Sequence, residues 1–232
     1  ALHFYHDIAY GNSKPALGYN GLKYTNDCRN IPAFLADHIS KNTLSLLIAQ
    51  LSPLLPEINI MEYRLRLFHA RSNNNYREMS IISKNVSVVN KPLLTKLYLL
   101  GCIDSVNAIK SDSLLKQKVK ESQRQFNLNA DGVLGTATIK ELNTPLAVRI
   151  QQLSLSINYY RWLNCLIQNQ PVIVVNIPAA YLKVYQTNTP ILEMRMVVGK
   201  KSTRTPTLAS TVTEVILYPY WHVPKKIATQ EL

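Results

Sequence analysis

The sequence predicts an α+β protein: a mostly helical scaffold with a small three-helix module, followed by an incomplete, mainly-β domain. Three observations carry this. The stretch KVKESQRQFNLNADGVLGTATIKEL, residues 118–142, reads as helix, glycine turn, helix; the segment after Pro145 is apolar on two sides at helical spacing; and from Pro171 the apolar period drops from about 3.6 residues to about 2. The 232 residues divide accordingly into a helical scaffold over 1–110, the module over 111–145, a linking helix over 146–169 and strands over 170–232.

Apolar residues make up 47% of the chain, enough for real cores, while charged residues are only 17% yet sum to +12. Such a one-sided field attracts polyanions. The lysines and arginines are scattered, without interleaved aromatics or a zinc-finger or RNP-like string, which argues against nucleic acid; an acidic polymer is at least as good a target, and a charge that merely keeps the protein in solution is the other reading. Cys28, Cys102 and Cys165 are odd in number and far apart, so neither a disulfide framework nor a CxxC clamp is implied, though a single disulfide is allowed. Cys165, between Leu163 and Leu166, has the setting of a small core residue with a raised pKa and is a poor nucleophile. His3, His6 and Asp7 lie close together with no second cluster to complete a metal site, so no metal or cofactor is expected. No run approaches a membrane span and no basic-then-apolar leader opens the chain, so the expectation is a soluble monomer without its export signal.

In order along the chain, Leu44, Leu47, Ile48, Leu51 and Leu55 make one apolar stripe, and after Pro53 and Pro56 a second runs through Ile58, Met61, Leu65 and Phe68, which predicts a helical pair. The RSNNN run from Arg71 is a loop, Ile81 to Val89 is β-branched enough for a short extended piece, and Leu93, Leu97 and Leu100 form a short helix stopped by Gly101. In the module, Leu115, Val119, Ser122 and Phe126 share one helix face that Ser111 or Asp112 caps. Asp131-Gly132 supplies the turn, Gly135 a second unrestrained position and Thr136 a hydroxyl for the next helix's free N–H groups, while Ile139 and Leu142 point inward. Pro145 then opens a helix with two stripes, Leu146, Ile150, Leu153, Ile157 and Tyr160 against Leu155, Tyr159, Trp162 and Leu166. Apolar on both sides, it is expected to lie between the module and the β-domain. Strands are expected at Val172–Ile177, at Tyr181–Gln186, over Leu192 to Val198 ended by Gly199, and at Thr211–Leu217 beyond the basic loop KKSTRTPT.

The module's pattern, with Gln123, Phe126, Leu128, Asp131, Gly132, Gly135, Thr138, Leu142 and Asn143 in place, resembles the three-helix peptidoglycan-binding domain. Further on, VNIPAAYLKVYQ, MRMVVGKKSTRTPTLAS and LYPYWHVPKKIATQEL resemble the opening strands of the L,D-transpeptidase catalytic domain in its large periplasmic branch, in which a helical scaffold and a peptidoglycan-binding module come first. HFYHDIAYG, LSPLLPEINIMEYRLRL and NYYRWLN match that layout in order.

The resemblance implies a cell-envelope protein whose partner is peptidoglycan and whose family cross-links peptide stems. In that family a cysteine thiolate attacks a carbonyl, a histidine manages the protons and backbone N–H groups hold the oxyanion. The family's histidine and its Ser-His-Gly-Cys string lie downstream of everything here, so the chain is expected to be truncated, to hold no catalytic residue and to be inactive as given. The resemblance puts Asp131, Gly132, Gly135 and Thr138 at the module's turn, and Tyr220 and Trp221 where the family's lid leaves the sheet; a packed Tyr-Trp corner is the other reading. His222 has no cysteine near it in sequence, and Lys225 and Lys226 meet either a stem carboxylate or water. The alternative to a transpeptidase is a non-enzymatic envelope protein that binds peptidoglycan and uses its strands only as structure.

Overall fold

The computed structural model describes residues 2–13, 18–19, 28–72, 78–200, 202–218, 220 and 229. The elements run α1 (Leu2–Tyr10), β1 (Gly18–Tyr19), α2 (Ile31–Ser40), α3 (Leu44–Leu51), α4 (Pro56–Ser72), α5 (Lys91–Leu99), α6 (Asp112–Gln125), α7 (Thr136–Asn143), α8 (Leu146–Asn169), β2 (Val172–Asn176), β3 (Tyr181–Gln186), β4 (Thr189–Arg195) and β5 (Leu208–Ala209). The α+β class holds. Two compact units are present, one of residues 1–15 with 25–205 and one of 16–24 with 206–232. In the smaller, β1 and β5 pair in parallel.

In the larger unit, α3 and α4 are the expected helical pair, broken at Pro53 and restarted at Pro56, with Leu47, Leu51, Leu55, Ile58 and Phe68 buried but Leu44 and Ile48 about half-exposed. Asn90 caps α5 by accepting from the Leu93 N–H, and Gly101, at φ +79°, closes that helix as its sequence predicts. α5, α6 and α7 share one apolar cluster through Leu93, Leu97, Leu115, Val119, Leu134 and Leu142. Ser111 caps α6, accepting from Leu114 N, while Asp112 accepts from the Val88 N–H at 2.7 Å. Ile81 to Val89 is not a strand. Its pairing comes from a side chain, since the Asn143 amide accepts from Ile81 N at 2.8 Å and donates to Ile81 O at 3.1 Å, as a neighbouring strand would.

α8 opens after Pro145, which offers it no side-chain cap. Glu78 supplies one from a distance: its carboxylate accepts from the Leu146 N–H at 2.7 Å, placing negative charge at the helix N-terminus, and pairs with the buried Lys96 at 3.2 Å. Arg149 joins α8 to the module, bonding the Glu141 carboxylate at 2.6 Å with its guanidinium 4.7 Å from the Phe126 ring centre. The expectation that α8 lies between module and sheet is corrected in part. Leu146, Ile150 and Leu153 do meet the module, but most of the rest packs on α4 and α1, with Ile157 and Ile167 joining Tyr185 of β3. Leu155, assigned to the second stripe, is 43% exposed, left uncovered among the described residues, whereas Trp162 is buried.

β2, β3 and β4 form an antiparallel sheet in that order. β4 begins at Thr189 and ends at Arg195, before Gly199, with Met196 N still bonded to Ala180 O. Thr211–Leu217 is unpaired among the described residues, so the expected fourth strand is corrected to the short pairing at Leu208–Ala209. The Cys28–Cys165 disulfide corrects the reading of Cys165 as a plain core residue, and it ties the segment before α2 to α8 across 137 residues.

Replacing Trp162 with alanine is expected to cost about 4 kcal/mol, and Leu155 with alanine less than about 1 kcal/mol. Chemical denaturation of both variants checks this; equal losses would mean that α8 is covered evenly on both sides.

Candidate functional site

The module's turn is organised by one residue. Gln123, on the inner face of α6, is 1% exposed. Its Oε1 accepts from the Gly132 N–H at 2.8 Å, which fixes the amide's orientation. Its Nε2 then shares two hydrogens among three acceptors, Asp131 Oδ1 at 2.8 Å, Val133 O at 3.0 Å and Thr138 Oγ1 at 3.1 Å. Asp131 Oδ1 also accepts from Val133 N at 2.8 Å, and the two bonds, with the Val133 N–H contributing most, hold the Asp131 carboxyl below its usual range. A folded pKa below the unfolded one contributes stability that is present above the ordinary aspartate range and is lost as the pH falls through the folded value. Gly132 sits at φ +76°, and a Cβ there would lie 2.7 Å from Lys116 Cγ.

Of the four turn residues the sequence singles out, Asp131, Gly132 and Thr138 therefore converge on Gln123. Gly135 does not. It has φ −70° and open space where a Cβ would stand, so the expected need for glycine is absent; it precedes α7 without a side-chain cap, and Thr136 is that helix's first residue and not its cap. Gln123 belongs to the sequence pattern but not to the predicted site. The signal that could have placed it there is a glutamine beside Ser122 on a face otherwise built of Leu115 and Val119.

A second polar cluster joins α4 to the sheet. Glu57 Oε1 accepts from Lys183 Nζ at 2.9 Å and from the Tyr185 hydroxyl at 2.8 Å, and Lys183 also meets Glu193 at 2.7 Å. Burial opposes the ionised form of Glu57, but the Lys183 and Tyr185 hydrogen bonds overcome it and lower the pKa. Burial likewise opposes charge on Lys183, and hydrogen bonds to Glu193 and Glu57 outweigh it, so the ammonium is held more firmly than usual. Burial and then the Glu57 bond push the Tyr185 phenol up.

The cysteines offer no nucleophile. Cys28 and Cys165 are joined, and Cys102 is buried in the module's cluster, where desolvation pushes its thiol up to about 11. His6 Nδ1 is 3.7 Å from Asp7, and among the described residues no three metal-ligating side chains come together. Tyr220 is 92% exposed; Trp221, His222, Lys225 and Lys226 lie outside the described residues.

Residues 92–142 match the family model of the peptidoglycan binding domain, and residues 170–232 that of the L,D-transpeptidase catalytic domain. The two matches lie in the family's order, the binding domain before the catalytic one, and together take in about half of the chain. A Haemophilus influenzae protein described as an L,D-transpeptidase is 38% identical over 60 residues, which are 26% of this chain and 12% of that protein. The chain therefore spans about an eighth of the length of the curated relative it matches. The peptidoglycan-binding match takes in α5, α6 and α7, the three helices that share the Leu93–Leu115–Leu142 cluster.

Replacing Gln123 with leucine strips the buried Gly132 N–H and Thr138 hydroxyl of their partner and is expected to cost about 3 kcal/mol, against about 1 kcal/mol for Thr138→Val. Denaturant midpoints of the two variants measure the difference, and equal losses would remove Gln123 from its central place. For the cysteines, iodoacetamide is expected to leave the native oxidised chain unlabelled and to modify Cys102 alone after unfolding without reductant, as read by intact mass; rapid native labelling would overturn the assignment of all three as unreactive.

Proposed function

We propose that this chain serves in the periplasm as the wall-binding and positioning portion of a peptidoglycan L,D-transpeptidase. The observation that carries this reading is the occurrence in one chain of the two family matches, with the binding module fastened to α8 by Glu78 and Arg149. Residues 1–110 would act as scaffold, 111–145 together with α5 as the module, 146–169 as the link and 170–232 as the first strands of the catalytic domain. Among the described residues no single helix is long and apolar enough to cross a membrane.

The chemistry of such an enzyme requires a thiolate, a base and an oxyanion site. With Cys28 and Cys165 oxidised and Cys102 buried and protonated, these 232 residues are assigned binding and positioning, with no turnover of their own. The same cysteines favour the second reading, a non-enzymatic wall-binding scaffold. On either reading Asp131, Gly132 and Thr138 act by shaping the module, while Tyr220 and Trp221 are proposed contacts at the substrate cleft.

Insoluble peptidoglycan sacculi are expected to retain the chain at low salt and, more weakly, at about 1 M salt, where a Debye length of about 3 Å screens attraction due only to the +12 net charge. Complete release at that salt, or equal retention by an unrelated polyanion, would reduce the interaction to charge alone.

A further inference from the structure

Residues 78–90 belong to no helix or strand, yet they are held at points spaced along their length. Glu78 is bonded to Lys96 and to Leu146 N, Ile81 to the Asn143 amide on both its backbone groups, Val88 N to Asp112, and Asn85 O to the Asn90 side chain that also caps α5. Val86 and Val88 pack on the module's apolar cluster. A surface loop tied to α5, α6, α7 and α8 has already lost much of the freedom that binding would otherwise remove.

What this framework presents outward is unusual. Ile82 is 90% and Val89 80% exposed, and with Ser80, Ser83, Asn85 and Ser87 they line a groove of about 360 Å³ along the start of α5. Among the described residues the Asn85 amide and the Ser80 and Ser87 hydroxyls have no hydrogen-bond partner, and the lining carries no charged side chain.

We propose that this groove, formed by Ser80, Ile82, Asn85, Ser87 and Val89, is a binding site for the neutral N-acetylhexosamine units of a glycan strand. The inference rests on the proposed wall-binding role and names the face and the part of the polymer involved. A pyranose ring has one apolar C–H face and a rim of hydroxyls that both donate and accept; exposed aliphatic side chains flanked by serine hydroxyls and an asparagine amide are complementary to it. The amide of Asn85 can pair with the acetamido group in both directions. The lining itself offers a stem-peptide carboxylate no cation, though the exposed Lys84 and Lys91 adjoin lining residues in sequence. The groove also adjoins residues 92–142, so the site lies at the edge of the matched binding domain.

The test is NMR titration of the full 232-residue chain with the β-1,4-linked N-acetylglucosamine trimer. Amide shifts are expected at Ile82 to Val89, with saturation in the millimolar range. The double variant Asn85→Ala/Ser87→Ala should bind more weakly by about fivefold or more, since each neutral hydrogen bond lost is worth roughly two- to tenfold, and about 1 M salt should change the affinity less than about twofold. Both substitutions replace exposed or half-buried polar side chains, and an unchanged thermal midpoint establishes that the variant is folded. Absence of shifts at these residues, shifts centred elsewhere, or binding abolished by salt would overturn the proposal. Sacculus retention distinguishes the two readings: if retention persists while the trimer fails to bind, only the groove assignment falls, and if both fail, the wall-binding role falls with it.

Discussion

Burial of α8 from several sides is the constraint on which the larger unit depends. Leu146 enters the module's cluster, Cys165 the cluster built on α1, α2 and α3, and Ile157 and Ile167 the cluster that reaches Tyr185 of β3. No other element contributes to all three among the described residues. A helix of 24 residues is about 36 Å long, enough to pass from one cluster to the next without a break. Tilting it to improve one core would open the other two, so its register sets the position of the module relative to the scaffold helices.

Polar side chains fix that register more sharply than apolar contact does, because apolar surfaces tolerate sliding and hydrogen bonds do not. Glu78 is the clearest instance. One carboxylate meets the first N–H of α8 and the ammonium of Lys96, a residue only 4% exposed whose charge would be costly without a partner. At the opposite end, Glu57 binds Lys183 and Tyr185 on the sheet, and its lowered pKa lets the pair stay ionised to a lower pH than an unpartnered glutamate would. Gln123 does the same service within the module without any charge.

What was legible in the sequence was whatever repeats. The two stripes around Pro53 and Pro56, the inner face of α6, the glycine end of α5 and the change of period at Pro171 all come from spacing, and all are present. Contacts between residues far apart leave no such trace. Nothing near Ile81 in sequence announces Asn143, nothing near Pro145 announces Glu78, and the disulfide joins cysteines 137 residues apart. The sheet failed differently. β2 is apolar on both faces; Val172 and Val174 pack on the helices beside Tyr185, while Ile173 and Val175, with Leu192 and Met194 of β4, stay open. Alternation therefore located the strands without saying which face would be covered.

The candidate site shows a sharper limit. The residues that make the module recognisable, Gln123, Gly132 and Thr138, are buried, and each spends its hydrogen bonds on the others. A sequence pattern of this kind specifies a turn geometry, and any chain that must make the same turn will repeat it whatever it binds. Recognition has to come from groups the turn leaves free. Around this module the segment between Glu78 and Asn90, which begins before the matched domain and carries no repeating pattern, offers such groups. Its serines and asparagine read as an ordinary polar loop until the structure shows which of its atoms are already bonded and which are not.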